Sequence, residues 1–131
     1  MTRPIHLDRR IMEIDAEYTR RLAVGFPAVL GGQPETLQVA RDEDRTNWLT
    51  FKGLCDEGIA SGLPDEEAPI SIRTTANRNY AVTYSEGADL MRDMRTWAAA
   101  MMVNRWALKD AAHAATTAEA LNAVDITQGW P

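Results

Sequence analysis

Apolar residues recur at helical spacing in two stretches of the N-terminal half. The first stretch predicts a helix over about 8–24 with Asp8 as its N-cap, and its apolar positions are Ile11, Ile14, Tyr18 and Leu22. The second predicts a helix over 42–60, with a stripe formed by Trp48, Phe51, Cys55 and Ile59. Between them, two short apolar pieces around Gly31 and Gly32 fit either a small hairpin or an extended loop.

The pattern then changes from helical to alternating. A polar, proline-containing stretch, SGLPDEEAP, precedes the segment ISIRTTANRNYAVTY. Along each predicted strand of this segment, apolar residues recur at every second position and therefore fall on one face. This alternation predicts a hairpin over about 70–84, with its turn at Asn77 and Arg78. One face of the hairpin would carry Ile70, Ile72, Thr74, Tyr80, Val82 and Tyr84.

A long helical pattern follows Ser85, the expected N-cap, and continues to about residue 115. Its stripe is broad, and Met102 and Trp106 widen it on one side. Thr116 and Glu119 have the spacing of a capping box, which predicts a short final helix. Because a two-stranded hairpin is marginally stable alone, we expect the long helix to cover it. The predicted fold is α+β: a small antiparallel sheet packed against two or three helices in a single domain, 1–131.

Charge and apolar run lengths exclude several classes of partner. The formal net charge of −5 gives little electrostatic support for nucleic-acid binding. Arg9, Arg10, Arg20 and Arg21 alternate with acidic residues, so we interpret them as a solvated helix face. No apolar run approaches the length of a membrane span, and the N-terminus lacks the apolar core of a signal peptide, which predicts synthesis in a cytoplasm.

The sequence predicts no metal, no cofactor and no catalytic residues. His6 and His113, the two histidines, have no metal-site spacing, and Cys55, the one cysteine, has no basic neighbour that would activate it. Two acidic runs, 42–44 and 65–67, are expected to be solvated. A small hydrolase that uses these carboxylates remains an alternative.

Large flexible and aromatic residues concentrate on the long helix and at the C-terminus. The candidates for partner binding or tail docking are Trp97, Met101, Met102, Trp106, Trp130 and Pro131. The helix residues either form an unusually wide core face or contact another chain. A homo-oligomer, in which that chain is a second copy, is one alternative. For Trp130 we favour docking onto the domain itself over presentation to a partner, since a terminal tail is otherwise small and polar.

Three segments resemble the DUF4376 family of phage and prophage proteins, which is linked to tail fibres and tail-fibre assembly. The segments are WLTFKGLCDEGIASG, RTTANRNYAVTYSEGADL and RWALKDAAHAATTAEALNAVDITQGWP. The matching features are the acidic helix start at 42–44, Asn77 or Asn79, Leu108 with Lys109, and the closing Ile126 and Gly129–Trp130–Pro131. The resemblance covers about 36–131, and 1–35 forms an N-terminal helix and loop that either packs in the core or serves as a docking arm.

The resemblance implies a non-enzymatic phage tail protein, a structural component of, or attachment factor for, the tail fibre or baseplate. Its partners would be fibre or baseplate proteins, and it would be made in the host bacterial cytoplasm and located in the virion tail. The alternatives are a fibre-assembly chaperone that the virion does not retain, and a host-directed binding protein. In the family-like tail, Gly129 would permit a close approach and Pro131 would stiffen the end.

Overall fold

The computed structural model describes residues 4–65 and 70–131. The elements, in chain order, are α1 Pro4–Val24, β1 Phe26–Leu30, β2 Gln33–Leu37, α2 Asp42–Ala60, β3 Ile70–Arg73, β4 Asn79–Val82, α3 Tyr84–Ala114 and α4 Ala118–Asn122. The predicted α+β class is confirmed. The chain divides into two compact units. The helical unit holds the chain up to Arg21 and from Trp97 onward, and the hairpin unit holds Leu22–Thr96.

The glycine pair in the hairpin unit turns a first hairpin. β1 and β2 pair antiparallel, with Phe26 opposite Leu37 and Leu30 opposite Gln33. Gly31 and Gly32 connect them with φ values of 57° and 76°, the left-handed conformation that a tight hairpin turn requires. Of the two sequence alternatives for this segment, the structure therefore has the hairpin.

The predicted hairpin at 70–84 is confirmed, with shorter strands. Ile72 lies opposite Tyr80, and Asn77 turns the chain with a φ of 63°. This hairpin forms a second two-stranded sheet, so the unit contains two small sheets where we expected one. The two sheets meet where the backbone N–H and the side-chain hydroxyl of Thr75 both donate to the carbonyl of Thr36, at 2.9 and 3.0 Å.

The stripe predicted on α2 is correct except at its end. Cys55 is buried and Trp48 and Phe51 are half-buried, but Ile59 is exposed. Gly58 is buried in its place, because the ring of Tyr84 lies 2.5 Å from where a Cβ atom at Gly58 would stand. A glycine has no apolar side chain that a periodic pattern could detect. The apolar spacing therefore predicted that Ile59 is buried, whereas the buried residue is its neighbour Gly58.

The cap of α3 is Thr83, and the prediction of Ser85 is wrong. The Thr83 hydroxyl accepts a hydrogen bond from the Glu86 N–H, and the Glu86 carboxylate accepts one from the Thr83 N–H, both at 3.0 Å. These reciprocal bonds form a capping box. Ser85 lies inside the first turn and donates its hydroxyl to Asp65.

The helical unit has a small core to which α1 contributes. Four buried residues form it, namely Ile14, Ala112, Ala115 and Leu121, and half-buried Leu7, Ile11, Leu108 and Ile126 pack around them. The N-terminal helix thus packs in this core through buried Ile14 and half-buried Leu7 and Ile11. It begins at Pro4 and not at Asp8, because proline suits the first position of a helix. The final helix is confirmed, but Thr117 caps it, one residue later than predicted.

Candidate interaction surfaces

The six predicted site residues do not form one site. Trp97 and Met101 are buried, Met101 to 1% exposure, and thus belong to the interior. Met102 and Trp106 are exposed on α3, Trp106 to 54%. Trp130 is half-buried, and Pro131 is exposed at the chain end. The surplus of Met and Trp on α3 therefore serves two sides of the helix, one inside the fold and one facing solvent.

The solvent side of α3 carries a continuous apolar face. Its members, all exposed, are Ala99, Met102, Val103 and Trp106, which we call the α3 face. They recur three or four residues apart, and Val103 lies about 200° around the helix from buried Met101. Val103 is 57% exposed, and sequence analysis missed it. Its angle from Met101 was the signal that could have separated the two sides.

The C-terminal tail docks onto α1 through Trp130. The indole lies 6.2 Å from the ring of Tyr18, centroid to centroid, and the Arg21 guanidinium stands 5.5 Å from the indole centroid. The indole N–H donates to the carbonyl of Ile126 at 2.8 Å. Both the aromatic body and the polar tip of Trp130 therefore have partners. The preferred prediction of self-docking is confirmed.

The residue before Trp130, Gly129, must be a glycine for two reasons. Gly129 has a φ of 84°, in the left-handed region. A Cβ atom there would also collide with the side chain of Asn104. The Asn104 amide uses that proximity, because its Nδ2 donates to the carbonyl of Gln128 at 2.9 Å. Gly129 thus satisfies both a backbone and a steric requirement, of which the resemblance implied the close approach.

Two arginines of α1 also hold the tail, which corrects the solvated-face interpretation. Arg10 donates to the carbonyl of Val124, and Arg21 donates to the carbonyl of Thr127 at 3.3 Å. Arg9 and Arg20 are exposed, as expected, and Arg20 pairs with Glu17. These guanidinium groups satisfy the hydrogen-bonding capacity of carbonyls that follow α4 and lie outside any helix or strand.

A charged cluster lies next to Tyr18. Asp15 accepts from Arg105 at 2.8 Å and from Lys109 at 2.7 Å, and the Arg105 guanidinium stands 4.7 Å from the Tyr18 ring centroid. Burial alone would raise the pKa of Asp15, but the hydrogen bonds from Lys109 and Arg105 outweigh it and hold that pKa below its usual range. The cluster fixes α1 against α3 within the helical unit and orients the ring that receives Trp130.

The hairpin unit contains one buried carboxylate that sequence analysis did not single out. Glu35 on β2 has a side chain only 2% exposed. It accepts from the Tyr80 hydroxyl at 2.6 Å and from Arg78 at 2.8 Å. These two donors hold the pKa of Glu35 below its usual range. They come from the second hairpin, so the Glu35 cluster joins the two sheets, and no local sequence signal marks it.

The acidic runs differ from the solvated expectation at one position. Asp44 is buried and accepts from the Arg41 guanidinium at 2.8 Å and from the Arg41 N–H at 3.1 Å, which lowers its pKa. It therefore stabilises the start of α2. Asp42 and Glu43 are exposed, as is Asp65, while residues 66 and 67 lie outside the described residues.

The remaining candidates for a reactive or ligand-binding group are a cysteine thiol and a surface depression. Cys55 is buried, and burial, with the nearby Asp56, raises the pKa of its thiol. A depression of about 400 Å³ in the hairpin unit is lined mostly by polar residues, among them Asn47, Thr74 and Asn77. Residues 4–65 and 70–131 contain no group of three or more His, Cys, Asp or Glu side chains that could hold a metal ion. Among those same residues, no helix is long and apolar enough to cross a bilayer.

Comparison with known proteins decides the family. The model of DUF4376, described as a domain of unknown function, matches residues 6–128. The chain belongs to the DUF4376 family. The match is longer than the 36–131 region that carried the resemblance, because it includes α1 and the first hairpin. No curated protein and no solved structure matches the sequence.

The family domain therefore contains both surfaces described above. Residues 6–128 include the α3 face, together with Tyr18, Arg21 and Asn104, which receive the tail. Residues 129–131, which dock there, lie just beyond the match. In this DUF4376 chain the described part of the helical unit thus carries a surface that its own tail covers and, on α3, an apolar face that remains in solvent.

Proposed function

We propose that this DUF4376 protein is a non-enzymatic bacteriophage tail protein, a structural component of the tail fibre or baseplate or an attachment factor for it. Its partners are tail fibre or baseplate proteins, and it resides in the tail of the virion after synthesis in the host cytoplasm. Family membership, together with the link to tail fibres that the sequence resemblance implies, supports the proposal.

The observation that carries the proposal is the α3 face. Exposed single apolar residues are normal on protein surfaces, but a contiguous set that includes a tryptophan is typical of a surface that meets another protein. Trp106 and Met102 are residue types enriched at interfaces. They project from the middle of a 31-residue helix, so they are held on a regular backbone and need little ordering upon binding.

The docked tail favours this assignment of the surfaces. Trp130 has an aromatic neighbour, a cationic neighbour and a hydrogen-bond acceptor within its own unit. A partner that used Trp130 would have to break those contacts first. The α3 face requires no such rearrangement, which supports it as the surface that binds tail proteins.

The test is mass spectrometry of purified virions from the phage or induced prophage that encodes this chain. We expect the protein to be present at a fixed ratio to the fibre protein. Its absence from virions that contain fibres would exclude a structural or attachment role.

A second measurement separates the remaining alternative, an assembly chaperone that is not retained. Fibre protein is produced with and without this chain, and the soluble trimeric fibre is quantified. A structural or attachment factor leaves the yield unchanged, whereas a chaperone raises it. Absence from virions together with an unchanged yield would contradict every tail function.

A further inference from the structure

The α3 face and the charges at its two ends have an internal symmetry. Six exposed residues lie along this side of the helix: Arg95, Ala99, Met102, Val103, Trp106 and Asp110. They form three pairs, each centred on the midpoint between residues 102 and 103. Arg95 matches Asp110, Ala99 matches Trp106, and Met102 matches Val103. At 100° per residue, all six lie within about 50° of one line along the helix.

We propose that the α3 face binds the α3 face of a second copy of this chain, with the two helices antiparallel about a two-fold axis between residues 102 and 103. In such an interface, residue i of one copy contacts residue j of the other, and j contacts i. The pairs above are then the contacts, and each occurs twice. This proposal rests on the proposed function, which uses the same α3 face. It identifies a second copy as the chain that covers this face before tail proteins bind.

Charge complementarity favours a second copy over an unrelated chain. Arg95 and Asp110 are both exposed, and within the described part of the chain neither has an ion-pair partner. The antiparallel arrangement places each opposite its counterion at both ends of the apolar face. A parallel arrangement in register would instead place like charges opposite one another, which disfavours it.

Side-chain size gives the same answer. Trp106, the largest residue of the face, lies opposite Ala99, the smallest, in both symmetric positions. Large residues opposite small ones allow two helices to interdigitate at the usual interaxial distance of about 8–10 Å. At the centre, Met102 meets Val103. The contact spans roughly 22 Å of helix, which is at the low end for a specific interface, so we expect a dissociation constant of about 10–100 µM.

The experiment is sedimentation equilibrium of the purified full-length chain over a concentration series, with charge reversal at the two ends of the face. The wild-type protein should dimerise. Arg95→Asp and Asp110→Arg, each alone, should raise the dissociation constant at least about tenfold, because each places like charges together twice. The double variant Arg95→Asp/Asp110→Arg should return it to within about threefold of wild type, since it restores both pairs with reversed sign.

Matched controls separate this pairing from general effects. Glu57→Arg reverses a charge at an exposed position of α2 and should leave dimerisation unchanged. Trp106→Ala should weaken it, while Leu49→Ala, an exposed apolar residue on α2, should not. All these positions are exposed, and circular dichroism of each variant verifies its helix content. A wild-type chain that stays monomeric to about 1 mM, or a double variant no better than the single ones, would overturn the proposal.

The result is distinguishable from failure of the tail function. Sedimentation uses the purified chain alone, whereas the proposed function is tested on virions. A monomeric chain that is nevertheless present in virions would refute self-association only. A dimer that is absent from virions and has no effect on fibre yield would refute the tail function only.

Discussion

Trp130 anchors the C-terminal tail within the helical unit. Its half-buried ring contacts Tyr18 and Arg21, and its N–H reaches the carbonyl of Ile126. We predict that Trp130→Ala lowers the free energy of unfolding by about 2 kcal/mol, since a partly buried tryptophan loses ring contacts and one hydrogen bond. Urea denaturation at low micromolar concentration measures it. Trp106→Ala should change stability by less than about 0.5 kcal/mol, because that ring is exposed. Equal losses for the two variants would contradict tail docking.

Gly129 allows the backbone and steric contributions to be separated. Gly32 has a similar φ, 76° against 84°, but a Cβ atom there would meet no atom within 4 Å. Gly32→Ala should therefore lose only the cost of the left-handed backbone, about 1 kcal/mol. Gly129→Ala should lose about 1 kcal/mol more, because it also displaces the Asn104 side chain. Thermal or urea unfolding of both variants gives the difference. If Gly32→Ala were as destabilising as Gly129→Ala, the Asn104 contact would have no energetic weight.

Glu35 predicts a pH dependence. Its pKa is lowered in the folded state by the Tyr80 hydroxyl and by Arg78, so its contribution to stability is present above the unfolded glutamate pKa of about 4.3. That contribution is lost as the pH falls through the folded pKa. Between pH 7 and pH 3, Glu35→Gln should therefore lose less stability than the wild type does. Ser71→Ala, a substitution of an exposed side chain that carries no charge, should keep the wild-type slope. Parallel slopes for wild type and Glu35→Gln would show that Glu35 is not preferentially stabilised as a carboxylate.

At the scale of elements, the glycines of α2 have opposite roles. Gly58 packs against the Tyr84 ring, whereas Gly53 is exposed and has open space around it. Gly53→Ala should stabilise the protein by about 0.5–1 kcal/mol, because alanine favours a helix interior. Gly58→Ala should destabilise it by about 1–3 kcal/mol despite the same gain in propensity, since the ring must move. Differential scanning calorimetry compares the two, and stabilisation by both would contradict the close contact.

Sequence periodicity predicted the elements better than their partners. Apolar spacing located α1, α2, α3 and the hairpin at 70–84, because each of them buries one side. It could not separate the two sides of α3, since both carry large apolar residues. It also missed Gly58, because close contact there depends on the absence of a side chain. Two helix starts were predicted at the wrong residue. Asp8 was the predicted cap of α1, which begins at Pro4, and Ser85 was the predicted cap of α3, which Thr83 caps.

The candidate surfaces depend on contacts distant in sequence. The Glu35 cluster joins residues 43 and 45 positions apart, and the tail reaches back to an α1 that begins at Pro4. Spacing within one segment contains no information about such contacts. The docked Trp130 was predictable only because a large ring at a chain end needs burial somewhere.

At the scale of the whole molecule, the chain satisfies its terminal tryptophan internally and leaves the α3 face in solvent. We propose that such a protein acts by binding other chains, and the sequence resemblance favours phage tail proteins as those chains. Self-association through the same face would keep the α3 face covered until the weak dimer separates and each copy binds tail proteins. The arrangement predicts that changes on the α3 face affect assembly without affecting the stability of the monomer.

The most direct test places a charge on the α3 face and follows incorporation into virions. Val103→Glu buries no charge in the monomer, because Val103 is 57% exposed. Leu49→Glu makes the same kind of change on α2 and serves as the control. Phage carrying each variant are purified, and the protein is quantified against the fibre by mass spectrometry. We predict that Val103→Glu lowers incorporation at least about tenfold, because a carboxylate in an apolar contact is costly, while Leu49→Glu matches wild type. Full incorporation of Val103→Glu would contradict the α3 face as the surface through which this protein acts.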